Sequence, residues 1–339
     1  MDEQKRLKTI TRKDVARQAG VSETIVSYVM NGNRYVKEEK RKRVEKAIEA
    51  LNYRPNVMAR TLKGKKSNHI LFIADDIQGE YFGKLIEEID SIAYRSDYFI
   101  SLCADHRDED FVNRIYSKFF DGIVIGSAAF PMRNIQLLVN TGIPIVLLEI
   151  RDYSSIHGGY GLINTGLYQG MRDCVPVLVE RGRRKLLFLD RLSADGEGGD
   201  FRDWRLKGFW DQCAASGLEP NLITRCRNEE ELAAQIRRRA AEGFVPDGVV
   251  GRNDYIALAG MQAYKALGYA IPADISFIGF DNSRVCGYSE PTLCSVEIQQ
   301  QEIARAVMRM LMTLIDRSDD SGHRLEEHLS TKLVTRKSV

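Results

Sequence analysis

Two short runs, Phe120-Asp121-Gly122-Ile123-Val124-Ile125-Gly126 and Pro246-Asp247-Gly248-Val249-Val250-Gly251, echo one another in a chain of 339 residues. Each follows a stretch with amphipathic helical spacing, and each is nearly continuous in apolar character, as a strand buried on both faces must be. Around the first copy, strand-like and helix-like segments alternate: His69 to Ala74, the helix Tyr81 to Tyr94, Phe99 to Ala104, the helix Asp110 to Phe119, Gly122 to Gly126, and Ile143 to Leu148. This is the pattern of a doubly wound α/β unit, and the echo predicts two of them with a cleft between.

Ligands of open α/β sheets bind beyond the carboxyl ends of the strands, so the loops there carry the candidates. Asp75, Asp76, Tyr81 and Phe82 follow the first strand. The run Phe201-Arg202-Asp203-Trp204-Arg205 follows Leu186 to Leu189, Arg252-Asn253-Asp254 follows Val249-Val250, and Asp281-Asn282 follows Ile275 to Ile278. Arginine forks and carboxylates can hold hydroxyls while flat rings cover apolar faces, which is the chemistry of a sugar or polyol site. The plainer reading makes Asp254 or Asp281 helix caps, Arg205 a surface residue, and Tyr81 and Phe82 ordinary core.

The N-terminal segment is of another kind. Thr11 with Asp14 reads as a capping box opening a helix that carries Val15, Ala16 and Ala19 on one stripe and stops at Gly20. A second helix is capped by Ser22 and runs to Asn31, with Ile25, Val26, Val29 and Met30 on one face and Glu23, Thr24, Ser27, Tyr28 and Asn31 on the other. Two short helices joined by a Gly-containing turn make a helix-turn-helix, whose second helix can enter a DNA major groove. A third helix follows within Tyr35 to Asn52, with Lys37 at its cap position. Pro55 and Gly64 then bracket a helix too short to be stable alone in water.

Charge separates the same segment from the rest. Residues 1–66 carry 18 Lys and Arg against 8 Asp and Glu, a net of +10, so in a chain of net +2 the remaining residues hold −8. A basic head of that density binds the phosphate backbone by counterion release.

The run "ITRKDVARQAGVSETIVSYVMNGNRYV" followed by "AIEALNYRPNVMARTLKGKKS" closely resembles the DNA-binding head and hinge of the lactose/galactose repressor family of bacterial transcription regulators. "RNDYIALAGMQAYKALGYAIPADISFIGFDN", "EPTLCSVEIQQQEIARAVMRML" and the closing "STKLVTRKSV" are similar to that family's effector-binding core. The resemblance implies an all-α helix-turn-helix head over residues 1–54, a hinge at 55–67, and a two-lobed α/β core of the type I periplasmic-binding-protein kind over 68–339. Lobe 1 is expected at about 68–182 and 297–320, and lobe 2 at about 183–296 and 321–339. It further implies Glu23, Thr24 and Tyr28 as base-reading residues, Ser22, Ser27 and Asn31 as phosphate or support residues, and Ala59 and Leu62 in the minor groove. Effector positions carried over are Arg205, Asn253 and Asp281, with Tyr81 and Phe82 lining the first lobe.

Two departures stand out. Tyr28 occupies a place where the family often has Arg, and Tyr cannot make the bidentate pair that Arg makes with guanine. Asn164 sits about two residues away from the expected acidic position, and the loop Asp152 to Gly161 is rich in Gly and aromatics (Tyr153, His157, Tyr160), which predicts an altered first-lobe wall.

Other classes fare poorly. The five histidines form no H-E-x-x-H, and there is no G-x-S-x-G, G-x-G-x-x-G or P-loop, so an enzyme acting on a sugar is disfavoured. The six cysteines have no C-x-x-C spacing, and neither metal nor cofactor is expected. The polar N-terminus lacks a signal peptide's apolar run, which argues for a cytoplasmic protein rather than an exported sugar-binding one. The expectation is a repressor acting as a homodimer on a partly palindromic double-stranded DNA operator, without membrane partners. Its effector would be a small molecule, a sugar first and a nucleobase or other co-repressor second.

Overall fold

The computed structural model describes residues 10–32, 34–53, 66–75, 77–106, 108–193, 196, 199–316 and 324–339, with the side chains of Asn31 and Glu109 left out. It divides into two compact units, up to Ser67 and from Asn68 onward.

In the first unit, α1 is Arg12–Ala19, α2 Glu23–Asn31 and α3 Glu38–Ala50. The capping box closes as its spacing predicts: Asp14 N–H donates to Thr11 Oγ1 at 3.4 Å, and Thr11 N–H donates to Asp14 Oδ2 at 2.9 Å. Gly20 turns the chain at φ +62°, a left-handed conformation that costs glycine nothing, and Ser22 caps α2 through Ile25 N–H. Val15, Ala16, Ala19, Val26, Val44 and Ala47 are buried together with Tyr53, and Ile25, Val29 and Met30 pack against them.

Lys37 is the cap residue of α3 and makes no side-chain capping bond. Lys37→Ser is therefore expected to stabilise α3 by about 0.5–1 kcal/mol. Hydrogen exchange of α3 amides in the full chain checks it; unchanged protection would mean that the introduced hydroxyl does not cap.

The second unit holds two six-stranded sheets. The first contains β1 (His69–Ala74), β2 (Phe99–Ala104), β3 (Gly122–Gly126), β4 (Ile145–Leu148), β5 (Gly161–Asn164) and β11 (Leu325–His328), in the order β11-β5-β4-β3-β1-β2 and parallel throughout. The second contains β6 (Leu186–Leu189), β7 (Asn221–Ile223), β8 (Gly248–Gly251), β9 (Ser276–Phe280), β10 (Cys294–Ile298) and β12 (Thr331–Val334), in the order β12-β10-β9-β8-β6-β7, with β12 alone antiparallel.

The echoed runs are β3 and β8, and their Asp-Gly pairs do matching work. Asp121 accepts from Asn68 N–H at 2.8 Å, and Asp247 accepts from Arg184 and Lys185 N–H, so each carboxylate ties down the start of its sheet's first strand. The glycine after each leaves room for a leucine: a Cβ on Gly122 would lie 2.8 Å from Leu311, and one on Gly248 2.6 Å from Leu186.

Helices α4 (Glu80–Arg95), α5 (Glu109–Tyr116), α6 (Met132–Val139) and α11 (Gln300–Asp316) cover the first sheet. Helices α7 (Leu167–Glu180), α8 (Trp204–Ala215), α9 (Glu229–Ala241) and α10 (Asp254–Ala266) cover the second. This corrects the expected lobe limits in two places. Helix α7 packs on α8, β12 and β10, so lobe 1 ends after β5 rather than near 182. Strand β11 pairs with β5, so residues 325–328 belong to lobe 1 and not, with β12, to lobe 2.

The chain accordingly passes between lobes at Thr165–Gly166, at Gln299 and at Leu329–Ser330. These crossovers are knitted together: Leu329 N–H donates to Asn164 O at 2.8 Å, and Gln299 Nε2 donates to Ser330 O at 3.1 Å. Gly166 (φ +77°) runs so close to Leu329 that a Cβ would sit 2.8 Å from its carbonyl oxygen.

Candidate functional site

Between the facing strand ends of the two sheets lies a partly open cavity of about 80 Å³. From lobe 2 come Arg205, Arg252, Asn253 and Asp281; from lobe 1 come Asp75, Tyr81, Phe82 and Ile150, with Leu167 at the start of α7. All five effector positions carried over from the resemblance thus line one cavity, and Arg205 is buried rather than on the surface.

Local structure explains how each is held. Asp203 caps α8 by accepting from Arg205 N–H at 2.9 Å, which places the Arg205 side chain in the first turn, beside the cavity. Its guanidinium stacks over Phe280 at 5.0 Å and donates through Nη2 to Asp281 Oδ1 at 3.3 Å. Arg205 Nε is buried without a hydrogen-bond partner among the described residues, leaving a donor for a ligand. Asn253 Oδ1 caps α10 through Ile256 N–H, so its amide nitrogen is the group available to the cavity. The first-lobe side is aromatic and aliphatic apart from Asp75, with Tyr81 and Phe82 rings edge to face at 4.9 Å.

Asp281 stands on an unusual backbone. Its φ is +100° and that of Asn282 is +49°, two successive left-handed residues without glycine. Asp254, expected as a possible cap, secures this turn instead: it accepts from Ser283 N–H (2.7 Å), Ser283 Oγ (2.8 Å) and Ser295 Oγ (2.5 Å), and Ser295 Oγ in turn accepts from Asn282 N–H (2.9 Å).

Arg252 and Asp75, which stand among the post-strand candidates but outside the effector positions carried over from the resemblance, also line the cavity. Arg252 Nε donates to Asp203 Oδ2 at 3.2 Å and lies 3.8 Å from Asp190. Burial raises the Asp203 carboxyl pKa, but the Arg252 and Arg205 guanidiniums outweigh that and hold it below the usual carboxylate range.

Asp281 goes the other way. Burial pushes its pKa up to about 7, with Asp254 adding to the rise and Arg205 opposing it. The folded state thus binds this proton more tightly than the unfolded chain does. The resulting stability is full below the ordinary carboxylate pKa and is lost as pH climbs to about 7. Ligand-free protein is expected to lose thermal stability between pH 5 and 8, and Asp281→Asn to flatten that slope; an equally steep slope in the variant would assign it to another group.

The predicted aromatic change in the first-lobe wall is not borne out. Tyr153 and Tyr160 are fully buried in the lobe 1 core on the other face of the sheet, and His157 is exposed, so apolar burial rather than ligand contact accounts for that loop. Asn164 accepts from Gly166 N–H and orders the first crossover.

In the head, Ser22, Glu23 and Thr24 are exposed at the start of α2, while Ser27 and Tyr28 are half-buried. The Arg34 guanidinium lies 5.2 Å from the Tyr28 ring centre, a contact that sequence spacing did not suggest. The side chain of Asn31, together with Ala59, Leu62, Asp76 and the 55–65 stretch of the expected hinge, lies outside the described residues.

Comparison with known proteins bears on both units. Residues 11–56 match the bacterial regulatory proteins of the lacI family, and residues 175–339 match the periplasmic binding protein-like domain. The chain carries a LacI-family DNA-binding head and a periplasmic-binding-protein-like domain. Its relatives include the HTH-type transcriptional repressors PurR of Proteus mirabilis (29% identical, covering 97% of this chain and 96% of that one) and of Pectobacterium carotovorum (28%, with the same coverage). In fold it is similar to the Lac repressor dimer bound to operator and the anti-inducer ONPF (TM-score 0.81, 23% identity, 98% of this chain and 99% of that one). It also resembles the transcriptional regulator CelR in its cellobiose complex (TM-score 0.66, 21% identity, 97% and 100%). Among the described residues, no helix is long and apolar enough to cross a membrane.

Proposed function

We propose that this chain is a cytoplasmic LacI-family repressor that binds a partly palindromic operator as a homodimer and is switched by a small hydroxylated molecule, a sugar or sugar derivative, held between its lobes. The observation carrying the ligand reading is the pairing of Arg205 and Asp281 with Tyr81 and Phe82 in one cavity. A hydroxyl both donates and accepts, so it can satisfy a guanidinium and a carboxylate at once, and the Tyr81 and Phe82 rings of lobe 1 suit the C–H face of a pyranose. The reading includes no catalysis.

On the DNA side, the proposal places Glu23, Thr24 and Tyr28 against base edges, Ser22, Ser27 and Asn31 at or near phosphates, and Ala59 and Leu62 in the minor groove. The exposed start of α2 supports the first of these assignments. Effector and operator must change each other's affinity by the same factor. The large ring-bearing wall also admits a planar nucleobase as the second reading.

The test is selection of duplexes from a random-sequence library with full-length protein, followed by operator titrations with panels of sugars and nucleobases. Enrichment of a two-fold site whose affinity shifts with a sugar supports the proposal. A shift with nucleobases alone moves the ligand to the second reading, and failure to enrich any site overturns the DNA-binding assignment.

A further inference from the structure

Away from the chain crossovers, the two lobes meet at two places through protein groups alone. The loop after β4 runs antiparallel to the segment that enters α8: Asp152 N–H donates to Arg202 O at 3.1 Å, Trp204 N–H donates to Ile150 O at 3.2 Å, and Arg151 pairs with Asp203 between them. This is a short β-ribbon with one strand from each lobe. Each strand is fastened to its own lobe. The Arg151 guanidinium donates to Phe130 O and lies 5.7 Å from the centre of the Tyr153 ring, while Asp203 is ion-paired with Arg252.

At the second place a side chain of lobe 1 meets backbone of lobe 2. Glu80, the first residue of α4, accepts from Arg284 N–H with both carboxylate oxygens, at 3.0 and 3.1 Å. Lys84 Nζ lies 2.7 Å from the same carboxylate. Burial raises the Glu80 carboxyl pKa, but the bonds from Lys84 and Arg284 outweigh that and hold it below the usual range, so it stays an acceptor at neutral pH. Arg284 in turn follows Ser283, whose N–H and hydroxyl are held by Asp254.

The spacing of the two contacts gives them a joint effect. In the first sheet β3 lies between β4 and β1, and in the second β8 lies between β6 and β9, which lead into the partner segments. Two strand spacings put the contacts about 10 Å apart. A single contact would let the lobes pivot about it, whereas two at that distance resist both pivoting and parting. Each contact also borders the cavity in sequence, because Ile150, Tyr81, Arg205 and Asp281 line it.

We propose that the ribbon and the Glu80 bond form one clasp that holds the lobes closed by protein groups alone. The closed arrangement is then the resting one, and a molecule entering the cavity must first part the clasp. Glu80 and the Trp204 N–H become determinants of lobe angle that touch no ligand, and this holds whatever the cavity binds.

The experiment is hydrogen exchange of the full chain at single-amide resolution, on protein shown by native mass spectrometry to carry no small molecule. Asp152, Trp204 and Arg284 N–H are the donors between lobes, and each should exchange at least about a hundredfold more slowly than an unstructured amide. Proline suits the first position of a helix, which Trp204 occupies in α8. Trp204→Pro therefore removes one donor, and Trp204→Ala loses the same ring but keeps the N–H. Relative to Trp204→Ala, Trp204→Pro should speed exchange of Arg284, in the other contact, by about tenfold. Glu80→Ala should likewise speed Asp152 and Trp204, and Glu80→Gln, which keeps an acceptor, should speed them less. Amides of β1 and β8 report that each lobe stays folded. The proposal is overturned if the three amides of the parent exchange as unstructured ones do. It is equally overturned if each substitution affects only its own contact, which would leave two local contacts and no clasp.

Discussion

Replacing Arg205 with alanine is expected to remove effector control while leaving operator binding by the ligand-free protein within a few-fold of the parent. Arg205 is the one cavity residue whose guanidinium simultaneously stacks on a ring (Phe280), contacts a carboxylate (Asp281) and keeps a buried donor in reserve. Its loss deletes charge-assisted bonds to the ligand and leaves Asp281 buried without its counter-charge, so part of the ligand's binding energy is lost and the cavity itself is disturbed. Together these amount to about 3 kcal/mol, on the order of a hundredfold in effector Kd. Burial already raises the Asp281 carboxyl, and removing the opposing Arg205 should raise it further. Titration calorimetry with an identified effector, beside operator binding without it, measures both halves. Unchanged effector affinity would remove Arg205 from the site.

Asp254→Ala should cost about 3 kcal/mol of stability and weaken effector binding, although Asp254 does not line the cavity. This buried carboxylate accepts from Ser283 twice and from Ser295 once, and those bonds hold the left-handed pair Asp281-Asn282. Alanine strands three donors and frees a strained turn to relax, carrying Asp281 away from Arg205. Asp254→Asn retains an acceptor and the side chain's volume, so it should recover a large part of the effect. Denaturant titration measures the stability term. If Asp254→Ala and Asp254→Asn bind effector as the parent does once refolded, Asp281 does not depend on this support.

Much of this molecule is legible in its residues because local physics dictates it. The capping box at Thr11 and Asp14, the left-handed Gly20 and the apolar stripe of α2 need no tertiary information, and all three form as spaced. The echoed Asp-Gly strands point to two sheets, and their carboxylates lie at matching positions in each. What escapes is the choice between equivalent neighbours. Helix α7 follows β5 after two residues, and nothing in its amphipathic pattern says which sheet it covers; that is decided by Gly208 of α8, whose lack of a side chain admits the α7 backbone at Tyr168. Strand β11 reads Leu-Glu-Glu-His, too polar for an interior strand, and it fits because it stands at a sheet edge beside β5. The cluster of Arg252, Asp203 and Asp190 escapes for a related reason, since ion pairs between distant segments leave no periodic trace.

The edge position of β11 has a bearing on how the protein comes into being. Lobe 1 opens the core in sequence, yet its sheet waits for residues 325–328, which leave the ribosome after all of lobe 2 up to β10 has been made. Until shortly before then α11 is missing too, and with it the leucine that fills the space above Gly122. During translation the lobe that starts first is therefore finished last, and it spends most of synthesis with apolar sheet surface uncovered and β5 unpaired on one side. The later lobe lacks only β12 by comparison. A growing chain of this design depends on residues 325–334 to complete both halves, so neither lobe is committed to its native sheet until that stretch has been made.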